Sequence, residues 1–364
     1  MRKIGKQEIE DIAVGAALLG TGGGGDPYIG KLMALQAIEE YGEITLLEGD
    51  EVPEDALVVP SSMMGAPTVM LEKAPSGEEA IEAFQKLEEY LGKKIYGTFP
   101  IEAGGVNSML PFATAARLGL PVIDVDGMGR AFPELQMVTF YLDGISATPG
   151  VISDEKGNTM LLSTINNVWT ERIARAATIQ MGGSVMCAIY PMTGKQLKES
   201  GISGILKLEE EIGKAIRLAK VNNVNPIQEV MKTVGGFELF SGKVNDINRK
   251  TETGFARGEA KIEGLNEYKG ETLTLSFQNE HLLAQTEQRL VCVTPDLIAV
   301  LDAETGLPIT TEGIRYGARC VVIGIPCNPK WRTAKGIETV GPKYFGYDVD
   351  YVPVEELVKK GVAL

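Results

Sequence analysis

The stretch KIYGTFPIEAGGVNSMLPFATAARLGLPVIDVD, residues 94–126, decides the fold. Residues 94–100 read as a strand, 105–118 as a helix and 121–125 as a very apolar strand. Strand, helix and strand at this spacing predict a βαβ unit, hence a parallel sheet with helices on its faces. Working outward, residues 77–91 predict a helix with Ile81, Phe84, Leu87 and Leu91 on one face, and short apolar runs at 43–47 and 56–60 predict further strands. Upstream, Ile9, Ile12, Ala13, Ala16, Ala17 and Leu19 follow helical spacing over 7–19. That helix must stop at Gly20-Thr-Gly-Gly-Gly-Gly-Asp-Pro27, because four successive glycines cannot hold one. Asp26-Pro27 then starts a helix over 28–41, with proline at or near its favoured first position.

Downstream the pattern changes. A helix is expected over 167–181, and another over 205–218. Short β-type runs follow at 237–244, 255–262, 271–277, 288–294, 298–302 and 317–325, each bounded by Gly, Asn, Asp or Pro. The fold class expected is therefore α/β plus β-rich. A mostly parallel α/β domain, residues 1–168, precedes a mainly antiparallel β domain with a few helices, residues 169–364.

Composition excludes several function classes. The chain has 364 residues, 44% hydrophobic and 23% charged, enough to bury a core. Its net charge of −14 opposes polyanions, so no nucleic-acid partner is expected. No apolar run of 18 residues and no apolar leader is present, so neither membrane insertion nor export is expected, and the chain reads as cytoplasmic. Cys187, Cys292, Cys320 and Cys327 form no C-x-x-C pair and read as reduced core thiols. His281 is the single histidine, so no site with two imidazole ligands exists within one chain.

Four constellations could carry chemistry. The run Gly22-Gly23-Gly24-Gly25-Asp26 offers successive backbone N–H groups that suit an anionic or polar group, or else marks a helix–helix turn. It follows a helix and lacks the Gly-Lys-Ser/Thr ending, so it is neither a dinucleotide fingerprint nor a P-loop. Glu102-Ala-Gly-Gly-Val-Asn107 sits at a strand-to-helix junction, where open α/β sheets bind ligands. Glu102 could act as acid or base and Asn107 as a polar clamp; alternatively these residues form a turn and a helix cap. Asp124 and Asp126 fall on one side of the apolar strand, where two carboxyls share a proton or bind a cation, and Arg130 could neutralise one. Asn279-Glu280-His281 places the lone histidine beside an amide and a carboxylate. No cofactor is expected, although Asp124, Asp126, Glu280 and His281 together could hold a divalent metal.

Three segments in order, Leu19-Gly-Thr-Gly-Gly-Gly-Gly-Asp-Pro27, Glu102-Ala-Gly-Gly-Val-Asn107 and Asp124-Val-Asp-Gly-Met-Gly-Arg-Ala-Phe-Pro-Glu-Leu-Gln136, resemble the S-methyl thiohydantoin desulfurase-like family. Phe277-Gln-Asn-Glu280, Thr294-Pro-Asp-Leu-Ile298 and Gly341-Pro-Lys-Tyr-Phe-Gly-Tyr-Asp348 extend the resemblance over nearly the whole chain. The resemblance implies a two-domain protein that handles small cyclic amides beside hydantoinase-type enzymes. It also implies removal of a methylthio group from an S-methyl thiohydantoin, leaving hydantoin and methanethiol. On that reading a carboxylate or His281 is the base, with base duty favoured on Asp124/Asp126 or Glu102, and Arg130 and Asn107 orient the ring. The glycine run, with Asn279 nearby, would hold the ring's polar edge. Two rival readings remain open at this point: an accessory ligand-binding subunit of a hydantoinase or oxoprolinase system, and a metal-dependent cyclic-imide hydrolase. A homo-oligomer is a further expectation.

Overall fold

A computed structural model describes residues 1–65, 69, 73, 75–252 and 255–361. Two sheets organise the chain. The first is built from β1 (Arg2–Ile4), β2 (Ile44–Glu48), β3 (Leu57–Gly65), β4 (Gly97–Pro100), β5 (Val122–Asp126), β6 (Gly150–Ser153), β7 (Thr159–Leu162) and β8 (Ser184–Ala188), with two-residue strands β9 (Met192–Thr193) and β10 (Ile202–Ser203). Its order is β1-β2-β5-β4-β3-β8-β6-β7. The central strands β2, β5, β4 and β3 run parallel, as the βαβ spacing predicts. The flanking pairs β1–β2, β3–β8, β8–β6 and β6–β7 are antiparallel. This sheet continues past residue 168, since β8 lies directly against β3.

The second sheet holds β11 (Phe237–Glu252), β12 (Phe255–Gly264), β13 (Thr272–Gln278), β14 (Glu280–Gln285), β15 (Leu290–Val293), β16 (Leu297–Asp302) and β17 (Arg319–Ile325). All its pairings are antiparallel, in the order β15-β14-β13-β12-β11-β17-β16. The runs predicted at 237–244 and 255–262 belong to two longer strands. The unpredicted β14 carries Glu280 and His281. The α/β plus β-rich architecture is thus the one the sequence implies.

The helix Gly105–Leu118 is the keel of the first half, buried from Gly105 through Ala115. It starts directly after β4, ends at Gly119 in the left-handed region (φ 69°), and packs on β3, β4 and the helix Tyr28–Tyr41. Side chains alternate across β3: Leu57 and Val59 join Phe84 and Leu87 of the helix Glu78–Leu91, whereas Val58 joins the larger core. That core crosses into the second sheet through Leu297, Ala299, Val321 and Ile323. The two halves therefore share apolar contact. Among the described residues, no helix is long and apolar enough to cross a membrane.

Candidate functional site

The carboxyl end of β4 and the start of the helix Gly105–Leu118 meet the glycine run backbone to backbone. Val106 N–H donates to Gly24 O at 3.0 Å. Gly105 has φ 51°, and a methyl there would stand 2.0 Å from Gly24 O. Gly22, Gly24 and Gly25 are also left-handed, at φ 88°, 69° and 74°. On the other side of the run, a methyl on Gly23 would stand 2.1 Å from Glu280 Oε1. The glycines are there for close approach: they let β14 of the second sheet bring Glu280 beside the β4–helix junction that carries Glu102.

A cavity of about 90 Å³ opens at this junction. Its polar lining includes Glu102, Asn107, Glu134, Asn279 and Glu280, with Gly24 at the edge, and its apolar lining includes Met63, Ile101, Phe132 and Ile189. Glu102 is buried; its Oε1 accepts from Asn107 Nδ2 at 2.6 Å and its Oε2 from Phe132 N–H at 3.3 Å. Asn107 is oriented in turn by Met63 N–H, which donates to its Oδ1 at 2.8 Å. Burial pushes the Glu102 carboxyl up to about 7, against the lowering pull of Asn107. Burial also drives Glu280 well above the usual carboxylate range, with the Glu102 charge adding to the shift. Among the described residues, Glu280 Oε2 meets no hydrogen-bond partner. Desolvation is the leading cause of both shifts. Asn279 sits at φ 61° in the turn between β13 and β14, its Oδ1 accepting from Ala256 N–H at 2.8 Å.

The remaining sequence candidates lie outside the cavity wall. Asp124 and Asp126 lie two residues apart on β5, and the charges of both raise Glu209. Asp124 Oδ1 accepts from Leu206 N–H at 2.7 Å, capping the helix Ile205–Asn222, and burial raises this carboxyl to about 6. Asp126 Oδ2 accepts from Met128 and Gly129 N–H at 2.9 and 2.7 Å, and burial raises it to about 7. Arg130 is fully buried, and its five N–H groups go to Ala131 O, Pro295 O, Asp296 O, Thr21 Oγ1 and His281 O. Burial lowers its guanidinium to about 10, with the Glu280 charge opposing. It ties the glycine run to β14 and the 295–296 turn.

His281 is also buried. Its Nδ1 lies 3.1 Å from Ile298 O, and burial lowers the imidazole to about 4, so it stays neutral at pH 7. With Nδ1 carrying the proton toward that carbonyl, the ring packs against Gly22. Asp26 is exposed, accepts from Tyr28 N–H at 2.9 Å, and lines a separate groove. No group of three or more His, Cys, Asp or Glu among the described residues is arranged to hold a metal ion.

Sequence reasoning missed three groups. Arg175 and Cys187 line the cavity. The Cys187 thiol is raised to about 12 by burial and stays protonated. Glu209, deep behind the junction, accepts from Ser108 Oγ at 2.6 Å, and burial drives its carboxyl well above the usual range. The helical row Ile205, Glu209, Ile212, Ile216 was the signal that could have found it.

A carboxyl-lined cavity where an α/β half meets a β-rich half defines the class of protein. The chain belongs to the S-Me-THD-like family: the N-terminal domain model matches residues 7–164 and the C-terminal domain model residues 165–354. A crystal structure of a protein from Chromobacterium violaceum is similar over 97% of this chain and 100% of that one, with TM-score 0.81 and 22% identity, which speaks to the fold. No curated protein matches the chain.

Proposed function

We propose that the cavity binds a small cyclic amide and hydrolyses a methylthio group from its ring, as the family's description suggests for S-methyl thiohydantoin relatives. The observation that carries this reading is the pair Glu102 and Glu280, buried on one small cavity and contributed by the two halves of the chain. Glu102, near 7, is ionised in a large fraction of molecules at neutral pH and takes a proton from water. Glu280, held higher, is protonated and gives its proton to the departing sulfur. Water oxygen bonds to the ring carbon, the carbon–sulfur bond breaks, and methanethiol leaves. The second water proton ends on the ring nitrogen, leaving the carbonyl of a hydantoin. Glu102 has then gained the proton that Glu280 lost, and exchange between them resets the pair. Asn107 keeps Glu102 in position through its 2.6 Å bond.

The test is incubation of the purified protein with S-methyl thiohydantoins and with hydantoins, following free thiol and ring opening separately. Thiol release without ring opening is expected. Ring opening alone, or binding with neither product, would overturn the proposal. The second result would instead describe an accessory ligand-binding subunit.

A further inference from the structure

Arg175 is the part of the cavity that this acid/base chemistry leaves without a task. It is the one cationic side chain among the described residues lining the cavity, where the other ionisable oxygens belong to Glu102, Glu134 and Glu280. It comes from the middle of the helix Asn167–Gln180 and is held on three sides. Its Nε pairs with Glu171 one turn earlier, and Glu171 Oε2 is itself fixed by Leu135 N–H at 3.0 Å. Its Nη2 donates to Pro133 O at 3.2 Å. Its guanidinium lies over the Phe255 ring, 4.4 Å from the centroid. Nη1 donates to no described residue, so the outer edge of the guanidinium keeps N–H groups to offer.

We propose that Arg175 selects ring substrates bearing a carboxylate substituent, which its outer edge binds while the ring lies between Glu102 and Glu280. This deepens the hydrolytic reading and rests on it. A planar guanidinium with an open edge matches a carboxylate in two parallel hydrogen bonds, and charge-assisted bonds are about twice as strong as those to a neutral carbonyl. The orientation is prepaid: Glu171, Pro133 and Phe255 hold the fork before any ligand arrives, so little side-chain entropy is lost on binding. The two carboxyls of the acid/base pair do not defeat an anionic ligand, because burial holds Glu280 neutral and leaves Glu102 ionised in only part of the molecules. An anionic ligand would in turn favour protonated Glu280, the form that serves the leaving group.

Calorimetric binding of two hydantoins, alike except that one side chain ends in a carboxylate and the other in its carboxamide, tests this without relying on turnover. The wild-type protein is expected to bind the acid about tenfold or more tighter than the amide. Arg175→Gln should bring that ratio close to one, and Arg175→Lys, which keeps charge but not the fork, should fall between. Equal affinities in the wild-type protein, or an acid preference that survives in Arg175→Gln, would overturn the proposal. Should Arg175→Gln fail to fold, the wild-type ratio and Arg175→Lys still decide. Equal affinities with thiol release intact would remove this inference alone. An acid preference without thiol release would remove the hydrolytic reading instead.

Discussion

Glu102 with Glu280 and Asp124 with Asp126 are two pairs of buried acids a short way apart, and they differ in whether they border open space. The aspartates lie on β5 outside the cavity wall; backbone N–H groups occupy Asp124 Oδ1 and Asp126 Oδ2, while Asp126 Oδ1 meets no described partner. The glutamates line a cavity; both Glu102 oxygens accept, from Asn107 Nδ2 and Phe132 N–H, and Glu280 Oε2 meets no described partner. Burial raises all four carboxyls, so a displaced pKa does not by itself separate a working group from a buttress. Open space beside the carboxyl does.

The largest way to break this contrast is Glu280→Gln. It should lower kcat/KM for thiol release about 10²- to 10⁴-fold, the range of a lost general acid, while the melting temperature stays near wild type. Asp126→Ala comes next and acts on stability. It leaves the Met128 and Gly129 N–H groups without their acceptor, costing about 2 kcal/mol, with the rate of thiol release nearly kept. Asp124→Ala removes one helix cap and should cost about 1 kcal/mol in denaturant unfolding. An Asp124→Ala protein of full stability and no activity would reverse the roles assigned to the two pairs.

The smallest effect concerns Glu209 and depends on pH. Burial holds its proton in the folded state at pH values where the unfolded chain has released it. The unfolded state then binds fewer protons, so stability falls as pH rises above the usual carboxylate value of 4.5. Glu102, Asp124 and Asp126, all raised, act in the same direction. The wild-type melting temperature should therefore decline from about pH 5 to about pH 8. Glu209→Gln keeps an acceptor for Ser108 and removes the charge, so its decline should be shallower by a few degrees.

The fold was legible where local signals agree with tertiary demand. The 94–126 unit, the glycine stop and the turn-bounded strands all follow from periodicity and breakers. Half of the cavity was legible too, because Glu102, Asn279 and Glu280 sit at strand ends beside turns and Asn107 in the first turn of the helix that follows β4. Arg175 was not: a Glu171–Arg175 spacing inside a helix has the pattern of a solvated i,i+4 pair. Glu209 hides in a Glu209-Glu210-Glu211 run that looks like surface charge, although only its first member is buried in the core. Arg130 and His281 were conspicuous in sequence, yet tertiary contacts consume the donors of one and keep the other neutral. Position along an element carries secondary structure well. It does not carry which polar atoms remain unpaired.

The most direct test compares the pH dependence of thiol release in the wild-type protein, Glu102→Gln and the double variant Asp124→Asn/Asp126→Asn. In the wild type, kcat/KM should rise as pH passes through about 7, where Glu102 loses its proton. The double aspartate variant should keep that rise and most of the rate, and Glu102→Gln should lose both. A rise that persists in Glu102→Gln but vanishes in the aspartate variant would contradict the account.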